Sequence, residues 1–204
     1  MDLRDALAQI AEIRAHIAQN ETFRGYRSAT VAASGLLALL GAAIQTLWIP
    51  DPQQQFTAYL KLWIVVAAAS FLIFAAEIAW RSYLHAAPQA RQLTLLAVQQ
   101  FAPCLVAGGL LTYAIVGYAP ASVALLPGLW AVVFSLGIFA SCRLLPPATI
   151  WIAGYYLLGG TAALVFARGE SSLSPWAMAG TFGAGQLLAA TVLFLTLERN
   201  HDGG

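Results

Sequence analysis

Apolar residues fill six long stretches of the chain, each close to the ~20 residues with which an α-helix crosses the hydrocarbon core of a bilayer. The stretches lack the alternation of apolar and polar positions that is typical of a membrane β-barrel. Because a backbone in lipid must satisfy its own hydrogen bonds, we expect all six to be helices. The predicted spans are Ala29–Ile49, Ala58–Trp80, Leu93–Gly117, Ser122–Cys142, Ala148–Ala167 and Trp176–Leu197. The predicted fold is therefore all-α, a polytopic membrane helix bundle.

A different pattern precedes the first span. Leu3, Ile10, Ile13 and Ile17 recur at the spacing of one helix face, with polar residues between them, and this predicts an amphipathic helix. Its polar face carries both signs of charge, which favours packing against a partner helix or the bundle over adhesion to anionic lipid. We therefore divide the chain into a cytoplasmic helix and linker (1–27), a six-helix transmembrane domain (28–198) and a short cytoplasmic tail (199–204).

The cations indicate the orientation in the membrane. Lys61 and Arg168 lie on one side of the predicted topology, and the other eight lie on the opposite side: Arg4, Arg14, Arg24, Arg27, Arg81, Arg91, Arg143 and Arg199. Since loops rich in lysine and arginine stay in the cytoplasm, both termini are predicted to be cytoplasmic.

Composition agrees with a membrane protein and excludes several other classes. Of 204 residues, 60% are hydrophobic and 9% are charged, against about 25% charged residues in a soluble domain. The formal net charge of +1 gives no field that would recruit nucleic acid. The three histidines lie outside the predicted spans, and Cys104 and Cys142 have no metal-ligand spacing. We expect no cofactor, no metal and no catalytic residues.

Polar residues inside a span are costly, and each is a candidate for function. Glu77 lies one turn from the cytoplasmic end of the second span, with Arg81 on the same face, and Gln99 and Gln100 lie in the cytoplasmic half of the third span. Pro103 has no N–H to donate to the backbone carbonyl of Gln99. An unpaired carbonyl is therefore expected at the same depth in the membrane as the two glutamine side chains.

Two interpretations of this polar group remain open. If the second and third spans pair, Glu77, Arg81, Gln99 and Gln100 would line a shallow cavity open to the cytoplasm, with Arg143 at its mouth, and would bind a ligand. Alternatively, Glu77 and Arg81 form an interfacial ion pair and the glutamines join helices, each bond contributing about 0.6 to 2 kcal/mol.

Two further glutamines lie within predicted spans. Gln45 is in the outer third of the first span and Gln186 in the middle of the last. We interpret both as interhelical hydrogen bonds for the same reason.

Similar short stretches in different spans suggest an internal repeat of three helical hairpins. Leu62-Trp63-Ile64-Val65-Val66 resembles Leu129-Trp130-Ala131-Val132-Val133, and similar glycine-centred runs occur in the odd-numbered spans. Chance similarity between apolar segments is the other explanation. Glycines such as Gly154, Gly159, Gly160 and those of residues 180–185 are expected to allow close contact between helices or self-association.

The opening of the chain carries a loose resemblance. Its amphipathic helix, followed by Phe23-Arg24-Gly25-Tyr26-Arg27 and a first span containing Ser34-Gly35-Leu36-Leu37, resembles uncharacterised multi-pass membrane proteins of bacteria. The resemblance covers about a fifth of the chain and implies the bacterial inner membrane. It carries no activity and no functional residue.

Two functions follow from these features as expectations. The first is a non-enzymatic scaffold or accessory subunit whose partner binds Leu3, Ile10, Ile13 and Ile17. The alternative is a small transporter or ligand-binding membrane protein that uses the polar site in the second and third spans. An enzyme is disfavoured, because general acid–base or nucleophilic chemistry has no evident agents inside the bilayer.

Overall fold

The fold is built almost entirely from helices. A computed structural model of the chain describes residues 28–84, 88–142, 146–166 and 169–198. The first five long helices are α1 Ser28–Trp48, α2 Phe56–Leu84, α3 Pro88–Tyr118, α4 Leu126–Ser141 and α5 Thr149–Phe166. A short 3-10 helix at Pro120–Leu125 leads directly into α4 and forms the fourth span together with it, and another at Gly169–Leu173 precedes the last span.

The last span, α6, begins at Pro175 and changes its helical type along its length. Its α-helical segments are Pro175–Met178 and Gly185–Leu193, and its π-helical segments are Ala179–Ala184 and Phe194–Glu198. The side chain of Ser174 accepts a hydrogen bond from the backbone N–H of Trp176, and Pro175 begins the helix where a missing N–H costs nothing. These two residues fix the start of α6.

Six of these helices are long and apolar enough to cross a membrane. The prediction of an all-α bundle with six apolar helices is confirmed, and the chain is a multi-pass membrane protein. Two helices extend beyond their apolar windows: α2 continues past Trp80 to Leu84, and α3 begins ten residues before its window starts at Val98. The predicted N-terminal helix and C-terminal tail lie outside the described residues.

The helices form an arc in which neighbours in space are not always neighbours in sequence. In spatial order, α2 packs on α1, α1 on α6, α6 on α5, α5 on α4 and α4 on α3. The two ends of this arc, α2 and α3, touch at few positions although only three residues separate them in the sequence. We call the end of the bundle that carries Trp48, Tyr118 and Trp176 the Trp176 end, and the opposite end the Glu77 end.

Burial is distributed unequally among the spans. In the apolar window of α2 only 6% of the residues are buried and in that of α3 none, whereas the other four windows are 28–39% buried. The protein interior therefore consists mainly of α1, α4, α5 and α6, with Tyr59 and Trp63 contributed by α2, and most of the surface of α2 and α3 faces the surroundings.

Glycines set the closest approaches between helices. A Cβ atom on Gly160 of α5 would lie 2.9 Å from the backbone oxygen of Gly128 and from the backbone nitrogen of Val132, both on α4. Likewise, a Cβ on Gly183 of α6 would lie 2.7 Å from the side chain of Leu39 on α1. The expectation of close contact is correct at Gly160 and Gly183. It is wrong at Gly154 and Gly180, where a Cβ would meet no atom within 4 Å.

Alanine substitutions at two glycines should change stability in opposite directions. Gly160→Ala forces apart two backbones that cannot rotate away, so we expect the free energy of unfolding to fall by about 1–3 kcal/mol. Gly108→Ala in α3 enters open space and should raise it by up to about 1 kcal/mol, because alanine favours helix. Unfolding of the purified protein in detergent measures both. Equal effects of the two substitutions would contradict the packing described for α4 and α5.

Candidate functional site

A fully buried amide joins three elements near the Trp176 end. The Nε2 of Gln45 on α1 donates to the backbone oxygen of Leu173 at 2.7 Å, and its Oε1 accepts a hydrogen bond from the indole Nε1 of Trp63 on α2 at 2.9 Å. Neither the amide of Gln45 nor the ring of Trp63 is exposed. The prediction that Gln45 bonds between helices is confirmed, and the amide also fixes the segment that leads into α6.

A second indole makes the corresponding bond in the next hairpin. The Nε1 of Trp130 on α4 donates to the hydroxyl of Thr112 on α3 at 2.8 Å, and that hydroxyl donates to the backbone oxygen of Gly108. In both hairpins the indole lies 18 residues after its acceptor. Trp63 and Trp130 are also the tryptophans of the two similar stretches in the sequence, so the packing supports a repeat of the first two hairpins.

The third hairpin is joined differently. There the hydroxyl of Tyr155 on α5 donates to the backbone oxygen of Gly180, in the π-helical segment of α6. The chain provides no tryptophan 18 residues after an acceptor at this place. The repeat is therefore supported for two hairpins and not for the third.

An aromatic cluster fills the space between α3, α4, α5 and α6. The ring of Phe134 lies 5.2 Å from Phe101, 4.8 Å from Tyr156 and 5.8 Å from Phe182, measured between centroids. Most of these pairs are tilted or edge-to-face, the arrangements that aromatic rings prefer. Tyr156 is completely buried, and its ring lies against the place where Gly185 has no side chain. This cluster is the interior of the half of the bundle that holds α4 and α5.

Three buried polar atoms have no hydrogen-bond partner among the described residues: the hydroxyls of Tyr59 and Tyr156 and the Oε1 of Gln100. Each such atom costs about 1–3 kcal/mol. The two tyrosines were not among the predicted site residues, because nothing in the sequence distinguishes a phenol inside the bundle from one at the membrane surface. Gln100 was predicted.

The predicted ligand site is resolved only in part. On α3, Gln99 is exposed, whereas Gln100 is half-buried and its Oε1 is enclosed. Glu77 is half-buried on α2 and has an interaction partner. The helix of α3 continues through Pro103. The predicted cavity needs α2 and α3 to pair closely, and their contacts are sparse.

The remaining predicted residues cannot be placed in this site. Arg143 lies outside the described residues, as do the partner-binding residues Leu3, Ile10, Ile13 and Ile17, and the side chain of Arg81 is likewise outside what the structure describes. Within the described ranges, no three His, Cys, Asp or Glu side chains are grouped so that they could hold a metal ion.

The Gln45–Trp63 bond should show strong energetic coupling. Gln45→Leu leaves the indole N–H and the Leu173 carbonyl without partners, and we expect it to lower the free energy of unfolding by about 1–3 kcal/mol. Trp63→Phe removes the donor. A double-mutant cycle in detergent should give a coupling energy of about 0.6 to 1.7 kcal/mol, the range of such bonds in membrane proteins. The cycle Thr112→Val with Trp130→Phe serves as the comparison. Additive effects in the first cycle would show that the bond contributes nothing.

Known proteins give no further guide to these features. No protein-family model, no curated protein and no solved structure matches the chain. Any function assigned to it therefore rests on its own residues and their packing.

Proposed function

We propose that the chain is a non-enzymatic scaffold or accessory subunit of the bacterial inner membrane, with both termini in the cytoplasm. The observation that supports this most is the unequal burial of the spans. In the apolar windows of α2 and α3, 6% and none of the residues are buried, against 28–39% in the other four windows. Such helices are suited to packing against another membrane protein.

The exposed face of α3 has the composition of a helix-packing surface. Val106, Leu110 and Tyr113 are exposed along it, and Gly109 between them would meet no atom within 4 Å if it carried a Cβ. Association of helices in lipid depends on van der Waals packing and is favoured where a small residue allows close approach. We infer that a transmembrane helix of the partner packs along this face at Gly109.

The N-terminal segment would add a second contact. Its apolar residues Leu3, Ile10, Ile13 and Ile17 follow one face of the predicted helix, and a cytoplasmic partner surface would bury them. The two contacts together would hold a partner both inside and beside the membrane. The mixed charge of the polar face is consistent with a protein surface rather than a lipid surface.

Site-specific cross-linking in the native membrane tests the association. A photoreactive amino acid at Leu110 should give an adduct with one membrane protein, because this position lies on the proposed face. The same label at Leu136, exposed on α4, is the matched control and should react with lipid only. The captured protein, tagged in turn, should co-purify with the wild-type chain and be recovered less well with Gly109→Trp or after deletion of residues 2–20. Lipid adducts alone at both positions, or undiminished recovery with both variants, would refute the proposal.

A second function is favoured by one observation: the Oε1 of Gln100 is enclosed and has no hydrogen-bond partner within the described part of the chain. A ligand that donates a hydrogen bond to this oxygen and also contacts Glu77 would make the chain a small transporter or ligand-binding protein. Because a polar group inside a membrane is energetically costly, it is a stronger candidate for a functional role than a polar group at the protein surface.

Substitution of adjacent glutamines tests this alternative. Gln100→Leu removes a buried acceptor without a partner, so we expect the free energy of unfolding of the purified protein to rise by about 1 kcal/mol. The same variant should lose any thermal shift that a library of polar metabolites produces in the wild type. Gln99→Leu, at an exposed position, should change neither, and Glu77→Ala should reduce the thermal shift. A compound that stabilises Gln100→Leu as much as the wild type would exclude the site.

A further inference from the structure

A long groove runs along the outer surface of the bundle between α5 and α6, at the Trp176 end. Its volume is about 730 Å³. Its lining contains small residues, among them Gly159, Ala163 and Gly180, and large side chains such as Phe166 and Trp176. It lies on different helices from the α3 face proposed for a partner.

The groove follows from the sequence of the two helices. On α5, residues 159, 162 and 163 are glycine and alanine, and their short side chains leave space beside this part of the helix. On α6, the π-helical segment Ala179–Ala184 brings Gly180 to the surface of the groove, where a Cβ would meet no atom within 4 Å. Glycine and alanine residues of both helices thus leave the space that forms the groove.

The polar groups at the deep end of the groove already have partners. The hydroxyl of Tyr155 donates to the Gly180 carbonyl, and the hydroxyl of Thr181 donates to the carbonyl of Ala177 on its own helix at 2.6 Å. What remains for an occupant is an apolar surface. An occupant that needed polar contacts would find few here, whereas a hydrocarbon chain fits the lining.

The groove lies within one leaflet of a bilayer. Its lining residues run from Tyr155 to Phe166 on α5 and from Ser174 to Thr181 beside and on α6, rises of roughly 16 and 10 Å at 1.5 Å per residue, and the hydrocarbon of one leaflet is about 15 Å thick. The groove opens laterally, since Leu158, Phe166 and Trp176 are 73%, 79% and 78% exposed. Its mouth lies at Ser171 and Ser174, beside an exposed tryptophan of the kind that marks a membrane interface.

We propose that this groove binds one acyl chain of a phospholipid from the leaflet at the Trp176 end, with the headgroup beside Ser171 and Ser174. The chain lies along Gly159, Ala163 and Gly180 and reaches the Tyr155 hydroxyl at its inner end. Such a lipid is held in a fixed place between two helices, unlike the lipids that only surround the bundle.

The substitution Gly180→Leu places a large side chain in the groove, and its Cβ would meet no atom within 4 Å. Gly117→Leu is the matched control: Gly117 is exposed, is equally open and lies near the same end of the bundle, on α3. Ala162→Phe fills the groove from the other wall at an exposed position. It replaces Gly180→Leu should that variant fail to purify as a monodisperse protein.

The full chain is reconstituted in nanodiscs of phosphatidylethanolamine and phosphatidylglycerol, with a fraction of phosphatidylglycerol that carries a diazirine on its acyl chain. After irradiation, mass spectrometry maps the adducts. In the wild type and in Gly117→Leu we expect adducts at residues 155–166 and 174–181 to exceed those around Leu110 several-fold. Gly180→Leu or Ala162→Phe should reduce the groove adducts to the level of the α3 face.

Three results would overturn the proposal. Adducts spread evenly over all exposed helices would show that the groove binds no specific lipid and is contacted only by the lipids that surround the bundle. Undiminished groove adducts in both filled variants would place the lipid elsewhere. Cross-links from groove residues to a second copy of the chain would assign the groove to a protein interface instead.

Discussion

The side chain of Gln45 makes two hydrogen bonds on which the arrangement of three helices depends. Its amide lies inside the bundle, where neither water nor lipid can replace a lost partner, so both of its polar atoms must be satisfied by the protein. The Trp63 indole satisfies one and the Leu173 carbonyl satisfies the other. Because Leu173 ends the short helix before α6, the amide links the first hairpin to the last span.

This link explains why α1 lies inside the arc rather than at its end. With α2 on one side and α6 on the other, α1 uses Gly41 against Val66 and Trp63 of α2, and Gly35 against Gln186 and Leu187 of α6. The last hairpin closes back onto the first. The arc then continues from α5 of the last hairpin to α4 of the second hairpin, and α3 remains at its far end with its outer face uncovered.

Hydropathy was enough to predict six helices, because the cost of exposing a backbone to lipid applies to every span alike. The packing faces could not be predicted in the same way. A helix that is apolar on all sides has no periodic pattern to show which side meets its neighbours, and the weak contact between α2 and α3 could not be foreseen. Polar residues were better guides: Gln45 was recognised as an interhelical bond, and Gln100 as a polar position inside the membrane.

The features that could not be predicted from the sequence depend on how the helices pack against one another. The Tyr59 and Tyr156 hydroxyls became unusual only through burial, and the groove exists because small residues on α5 and α6 lie side by side. Gly180 and Gly183 show the difficulty most clearly. They are three residues apart, yet one faces open space and the other presses against Leu39.

The π-helical segment of α6 has a consequence for how this helix is oriented. Each residue of an α-helix turns the chain by about 100°, and a π-turn, which closes its hydrogen bond one residue later, changes the direction of everything that follows. The segment Ala179–Ala184 therefore determines which side of Gly185–Leu193 faces Tyr156. Deleting a single residue within it would restore the ordinary winding and rotate the second half of the span away from its present neighbours, although the composition of the span would hardly change.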